Sequence, residues 1–231
     1  MIKREKRRDI LVVAAHPDDE ILGCGGTLAR LIKEGFNAAT LILGEGITSR
    51  DTKRRKKARM DDIKRLQNEA HKANDAIGVK KLFIYQFPDN RFDKTPLLDI
   101  IKVIEKVKDK INPSIIYTHH WNDLNVDHRI VFKAVLTACR PMRGEETKEI
   151  YSFETPSATE WNYPNRFNPN VFIDISETID RKIKALKIYK TEYRNFPHPR
   201  SDKSVRNLAK LRGSVVGLSH AEAFECVRVI R

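Results

Sequence analysis

Residues 9–26 read DILVVAAHPDDEILGCGG. The apolar run from Asp9 to Ala15 predicts a buried strand, and the polar segment His16 to Glu20 follows it at once. Three glycines then lead into Thr27 to Glu34, an amphipathic stretch that predicts a helix. A strand, a polar turn and a helix in this order are typical of the first unit of an α/β fold.

The same alternation continues along the chain. Further strands are predicted at Asn37–Leu43, Lys81–Phe87, Ser114–Thr118, Ile150–Phe153 and Val171–Ile175. Further helices are predicted at Lys56–Ile77, Leu97–Ile111, His128–Cys139, Ile179–Arg194 and Ser204–Arg212. We therefore predict an α/β fold with a Rossmann-like, mainly parallel sheet and helices on both faces. The C-terminal part is expected to cap the same domain, so that residues 1–231 form one unit.

Composition excludes several classes of protein. The 231 residues include 44 Lys or Arg against 31 Asp or Glu, a net charge of +13. No apolar run approaches the ~20 residues of a membrane helix, and the short run after the basic start does not suit a signal peptide. The cysteines Cys24, Cys139 and Cys226 form no disulfide framework, which favours a reducing cytoplasm. The charge alone leaves nucleic acid, an anionic membrane face or an acidic small molecule open as partners.

Two clusters of His and Asp follow predicted strands. The first is His16 to Glu20, and the second runs from His119 to His128 after the fourth strand. Because ligands of parallel sheets bind beyond the carboxyl ends of the strands, the two clusters are candidates for one site. Imidazole and carboxylate together suit zinc or another first-row divalent metal. The alternative is that the acids cap a helix and the histidines are ordinary loop residues.

The segment His16-Pro17-Asp18-Asp19-Glu20, followed by the glycines, resembles the motif of the LmbE/PIG-L deacetylases. Asp127-His128 resembles the family's second motif, and Pro88-Asp89-Asn90 and Pro197-His198-Pro199-Arg200-Ser201 resemble later landmarks. These zinc-dependent hydrolases remove the acetyl group from N-acetylglucosaminyl moieties. The resemblance covers nearly the whole chain and implies the same activity here.

The resemblance implies a role for each matching residue. His16, Asp19 and His128 would hold Zn²⁺, or another first-row metal, and Asp18 would be the general base. Many family members carry histidine where this chain has Asn125, which could polarise the carbonyl but cannot transfer a proton. We expect Asp18 to return its proton to the leaving amine, with His119, His120 and His198 as alternative donors.

Arg50, Asp123 and Arg200 are the candidate substrate contacts. Arg50 lies where relatives have a substrate-binding arginine, although an ordinary loop arginine is an equal alternative, and Arg200 could equally belong to a structural turn. Trp121 and Trp161 could stack on a sugar ring or anchor their loops. The glycines match no dinucleotide or phosphate-loop spacing and are expected to allow close packing of helix and strand.

These observations predict a cytoplasmic, zinc-dependent N-deacetylase of an N-acetylglucosamine-type sugar or sugar conjugate. One rival is an amidase for another acylamide conjugate. The other is a non-catalytic sugar- or nucleic-acid-binding protein on the same fold, which Asn125 and the basic run Lys53 to Arg65 would support. That run is most simply a solvated surface, and the absence of a recognisable nucleic-acid fold disfavours nucleic acid as a partner. A homo-oligomer stays open.

Overall fold

A computed structural model describes residues 9–164 and 167–231, and the basic residues 1–8 lie outside it. In this part of the chain seven strands form one sheet in the order β3-β2-β1-β4-β5-β7-β6. The strands are β1 (Asp9–Ala14), β2 (Asn37–Gly44), β3 (Lys81–Phe87), β4 (Ile115–His119), β5 (Glu149–Phe153), β6 (Val171–Asp174) and β7 (Ala221–Val229). The helices are α1 (Asp19–Lys33), α2 (Met60–Ile77), α3 (Leu97–Ile111), α4 (Val126–Ala138), α5 (Ile179–Ile188) and α6 (Asp202–Ser214).

Strands β1 to β5 are parallel, and β7 runs antiparallel to both of its neighbours. In β1, Ile10 and Val12 face one side of the sheet and Leu11 and Val13 the other, and all four are fully buried. Apolar residues of α1, α2, α5 and α6 cover the first side, and those of α3 and α4 cover the second. The predicted α/β fold with helices on both faces is therefore confirmed.

The chain turns in opposite directions from the two central strands. After β1 it passes through α1 to β2, and after β4 it passes through α4 to β5 on the other side. Such a reversal opens a crevice at the carboxyl ends of the two strands, where ligands of open α/β sheets bind. The two His/Asp clusters of the sequence lie at this crevice.

Helix α1 begins at Asp19, eight residues before the predicted start at Thr27. The three glycines therefore lie inside this helix. The helix breaks at Cys24 (φ −145°, ψ 18°), and distant side chains bind the backbone groups that the break leaves free. Glu222 accepts the N–H groups of Gly26 and Thr27 at 2.9 and 2.7 Å.

The buried Lys182 completes this break. Its Nζ donates to the Leu22 carbonyl at 2.7 Å and to Glu222 at 2.6 Å. A Cβ on Gly23 would lie 2.3 Å from the ring of Phe153, so the glycine lets the helix approach the sheet, as predicted.

One other prediction is wrong, and one strand was missed. Helix α5 ends at Ile188 rather than at Arg194, and turns follow it. Strand β7 was not predicted, although it lies between β5 and β6. Helix α2 does stop at Gly78, as predicted, because this residue has the φ of +97° that glycine adopts freely. Within the described residues, no helix is long and apolar enough to cross a membrane.

Candidate metal centre and catalytic cleft

The turn between β1 and α1 holds Asp18 in an unusual backbone conformation. Its φ of +104° is in the left-handed region, which residues other than glycine rarely adopt. The Asp18 N–H donates to Glu20 Oε2 at 3.1 Å, and the buried Glu20 is itself held by Tyr189 at 2.5 Å and Asn74 at 3.0 Å. Such strain persists only where the surroundings impose it, and it is concentrated at functional sites.

His16, Asp19 and His128 converge in the crevice. One ligand atom from each lies within 4.8 Å of the others. Asp19 Oδ2 is 3.4 Å from His16 Nδ1 and 3.3 Å from His128 Nε2. Burial acts to raise the pKa of Asp19, but the neighbouring imidazoles hold it well below its ordinary value, so this side chain is a carboxylate.

Asp19 Oδ1 is buried and finds no hydrogen-bond partner among the described residues. A buried carboxylate oxygen without a partner is costly, and a bound cation would satisfy it. Two imidazoles and one carboxylate are also the donor set of known catalytic zinc sites. These three residues therefore fit a divalent metal.

A carboxylate lies behind each of the two histidines. His16 Nε2 is 3.0 Å from Asp127 Oδ2, and His128 Nδ1 is 3.2 Å from Asp123 Oδ1. These contacts leave His16 Nδ1 and His128 Nε2 to face Asp19. Metal-binding histidines are commonly oriented in this way by a carboxylate on the second nitrogen.

The same carboxylates set the charge of the imidazoles. Burial lowers the pKa of His16, but the carboxylates, Asp127 first, raise it well above its ordinary value. Burial likewise acts against the charged form of His128, and Asp19 and Asp123 raise its pKa to about 9. A metal at this site would therefore compete with protons on both histidines.

His119 is a structural residue. Its Nε2 accepts the N–H of Ala15 at 2.9 Å, so its proton is on Nδ1, 3.2 Å from Thr155 Oγ1. Burial lowers its pKa well below the ordinary value, and the neutral ring stacks on His128 with centroids 3.8 Å apart. With this geometry, His119 does not suit the role of proton donor to the leaving amine.

A series of four charged side chains of alternating sign ends at Asp18. Arg200 Nη1 donates to Asp18 Oδ2 at 2.9 Å and lies 3.4 Å from Glu192 Oε2. The other oxygen of Glu192 pairs with Arg50. Burial raises the pKa of Asp18 well above its ordinary value, while Arg200 opposes this by favouring the carboxylate. The predicted substrate contacts Arg50 and Arg200 are therefore joined through one glutamate, beside the candidate base.

Comparison with known proteins identifies the family of the chain. The model of the family described as PIG-L: GlcNAc-PI de-N-acetylase matches residues 11–139. An uncharacterized deacetylase of Escherichia coli K12, YaiS, is 32% identical over 80% of this chain and 92% of its own length. The chain belongs to the PIG-L family. A probable N-acetyl-alpha-D-glucosaminyl L-malate deacetylase 2 of Bacillus cereus is 28% identical over 80% of this chain and 84% of its own.

The solved structures agree on the fold. The conserved protein TT1542 of Thermus thermophilus superposes with a TM-score of 0.76 at 23% identity, over 97% of this chain and 96% of that one. The family match and the named relatives confirm the predicted resemblance to the PIG-L family, and with it the prediction of a hydrolytic N-deacetylase.

Two predicted residues of this PIG-L family member have other contacts than expected. Asp123 is fully buried behind His128, and its Oδ2 accepts the hydroxyl of Thr159 at 2.6 Å, so it does not face a substrate. Asn125 caps α4: its Oδ1 accepts the N–H of Asp127 at 2.8 Å. Its Nδ2 donates to Asn90 at 2.9 Å. The Asn125 amide, which we expected to polarise the substrate carbonyl, is therefore largely engaged in local hydrogen bonds.

Sequence reasoning assigned no role to Asp89 and did not find Glu192. Asp89 Oδ1 lies 3.3 Å from His16 Nε2, and its Oδ2 accepts the N–H of Ser49. The Pro88-Asp89-Asn90 landmark was a signal for the first of these residues. Nothing in the spacing of Glu192 pointed to the cleft, because only the tertiary structure places it between two arginines.

Local acids neutralise part of the basic run Lys53 to Arg65. Arg59 donates to Asp51 at 2.6 Å and to Asp62 at 3.1 Å, and Arg65 also pairs with Asp62. Lys56 to Arg65 lie on a 3₁₀ helix and the first turns of α2, and these ion pairs favour a solvated surface over a nucleic-acid site.

Proposed function

We propose that this protein is a zinc-dependent N-deacetylase of an N-acetylglucosamine-type sugar or sugar conjugate. The observation that carries the proposal is the buried His16, Asp19 and His128 cluster, with the strained Asp18 directly beside it. The named activities of the relatives support a sugar acetamide as substrate. Three free cysteines support the predicted reducing, cytoplasmic location.

His16 Nδ1, Asp19 and His128 Nε2 would hold the metal. When bound, a zinc ion acts as a Lewis acid and makes water acidic near neutral pH. Asp127 and Asp123 keep the two imidazoles in the tautomers that leave those nitrogens free.

Asp18 is the general base in this scheme. Its carboxylate takes one proton from the attacking water, whose oxygen bonds to the acetyl carbon. The C–N bond then breaks, and Asp18 returns the proton to the amine nitrogen, so the products are acetate and a free amino sugar. Burial raises the pKa of Asp18, which strengthens it as a base, and Arg200 opposes this shift and orients the carboxylate through its hydrogen bond.

The test is acetate release from N-acetylglucosamine compounds, together with the metal content of each variant. Chelation should abolish turnover and zinc should restore it. Asp18→Asn should lose turnover and keep its metal, whereas His16→Ala should lose both. Asp93→Asn, the same change on an exposed carboxylate, is the matched control. The proposal would be overturned if Asp18→Asn kept most of the wild-type activity. It would also be overturned if His16→Ala had the same metal content and turnover as the wild type.

A further inference from the structure

Glu192 is a buried acid between the two arginines of the cleft. Only 8% of the residue is exposed, and both of its carboxylate oxygens have partners. Its Oε1 accepts hydrogen bonds from Arg50 and from the Thr191 hydroxyl, the second at 3.2 Å. Its Oε2 lies 3.4 Å from Arg200 Nη1. Glu192 therefore takes the place, between two arginines, that a carboxylate or phosphate of a substrate would otherwise occupy.

The turn that carries Glu192 holds this acid in place. The Glu192 N–H donates to the Tyr189 carbonyl at 3.1 Å. Tyr189 is fully buried, and its hydroxyl contacts Glu20 behind the Asp18 turn. A substrate that displaced Glu192 would separate a buried carboxylate from its counter-charges, which is strongly unfavourable. We therefore expect Glu192 to stay between the two arginines when a substrate binds.

Glu192 also lies close to the position of the reacting acetamide. The same Arg200 nitrogen, Nη1, donates to Asp18 at 2.9 Å and faces Glu192 at 3.4 Å. One guanidinium nitrogen therefore separates the candidate base from Glu192. With the acetamide beside Asp18, a substituent on a neighbouring carbon of the sugar ring would approach Glu192 on this side of the cleft.

The charges on this side of the cleft cancel, although the whole chain has a net charge of +13. The two arginines are matched by the carboxylates of Asp18 and Glu192. Burial acts to lower the pKa of Arg200, but the acids around it raise it. An anionic substituent would therefore meet charges of its own sign and would find both arginines already paired.

We propose that Glu192 determines the charge specificity of the cleft. It makes the enzyme select uncharged acetamido sugars and reject those with a carboxylate or phosphate next to the acetamide. This inference rests on the proposed function and narrows its substrate class. Sugar hydroxyls can donate to the Glu192 carboxylate, whereas an anionic group only accepts hydrogen bonds. Such specificity depends on repulsion of the wrong ligand as well as on attraction of the right one.

The kinetic test compares three sugars. Methyl N-acetylglucosaminide is neutral, whereas N-acetylglucosamine 1-phosphate and N-acetylmuramic acid carry an anion on one or the other side of the acetamide. We expect kcat/KM of the zinc enzyme for the neutral sugar to exceed that for at least one of the anions by about 10-fold or more. Glu192→Gln should remove most of this preference through a lower KM for the anion, because the two arginines lose a counter-charge.

Two further variants separate charge from structure. Glu192→Asp keeps the charge and should keep the preference, which a merely structural role of the side chain would not explain. Glu34→Gln is the matched control, since it breaks an exposed 2.8 Å pair with Arg30 at the C-terminal end of α1 and should not change the ratio. Equal kcat/KM of the wild type for the three sugars, or a preference that Glu192→Gln leaves unchanged, would overturn the role of Glu192.

Calorimetry separates this inference from the proposed function. In zinc-loaded Asp18→Asn, which leaves the sugars intact, adding Glu192→Gln should raise the affinity for the anion about 10-fold or more relative to that for the neutral sugar. This shift, without acetate release by the wild type from any of the three sugars, would support the charge selection and overturn the proposed function. Acetate release by the wild type with no such shift would overturn the charge selection alone.

Discussion

Asp127 connects two buried groups, and replacing it with asparagine should weaken metal binding. Its Oδ1 accepts the N–H of Phe92 at 3.0 Å, and its Oδ2 lies 3.0 Å from His16 Nε2. Asparagine supplies one acceptor in place of two. Either Phe92 loses its acceptor, or His16 moves its proton to Nδ1, the nitrogen that faces Asp19. A protonated Nδ1 cannot bind a metal.

The expected size of the effect follows from these two outcomes. Losing the carboxylate that orients a ligand histidine typically weakens metal affinity by about 10–100-fold, which is about 1.4–2.7 kcal/mol. If Phe92 instead keeps no acceptor, the buried N–H should lower the free energy of unfolding of the metal-free protein by about 1–3 kcal/mol. Asp127→Asn should therefore bind zinc more weakly, unfold more easily, or both.

Competition with a chromophoric chelator measures the affinity for zinc, and urea unfolding of the metal-free protein measures its stability. Asp93→Asn provides the control, since it makes the same change on an exposed carboxylate in the 3₁₀ helix Phe92–Lys94. Folded Asp127→Asn that binds zinc within twofold of the wild type and has the same free energy of unfolding would refute this role of Asp127.

Two other predictions concern stability. Glu222→Gln should lower the free energy of unfolding by about 3–5 kcal/mol in urea, because it leaves the buried Lys182 without its counter-charge. Glu177→Gln breaks an exposed ion pair of the same 2.6 Å length and should have little effect; equal losses would contradict the role of burial. The metal-free protein should also lose stability as the pH rises from 5 to 9 in urea titrations at fixed pH. Burial raises the pKa of Glu20 from 4.5 to about 7. Burial acts to lower the pKa of His128, but the neighbouring carboxylates raise it from 6.5 to about 9. The folded state therefore binds more protons than the unfolded state, and this stabilisation is lost as the pH passes through both values. Constant stability over this range would contradict the two shifts.

Much of the fold and part of the site followed from local sequence patterns. Short apolar runs between helical segments predicted the parallel strands, and the polar segments after β1 and β4 placed His16, Asp19 and His128 at one edge. These predictions succeed because apolar runs, and the polar residues that follow them, involve residues that are near one another in sequence. Strand β7 escaped prediction because its place between β5 and β6 depends on antiparallel pairing with both.

The sequence by itself determined a His/Asp motif suited to a metal at the end of a buried strand, and the type of residue available for catalysis. Only the tertiary structure decided what surrounds them. It placed Asp123 behind His128 rather than in the cleft, linked Arg200 to Asp18 across 182 residues, and broke α1 where Glu222 could bind its amides. The physical reason is that a side chain's role depends on which groups packing brings within hydrogen-bond distance. For residues this far apart in sequence, no local pattern specifies those contacts.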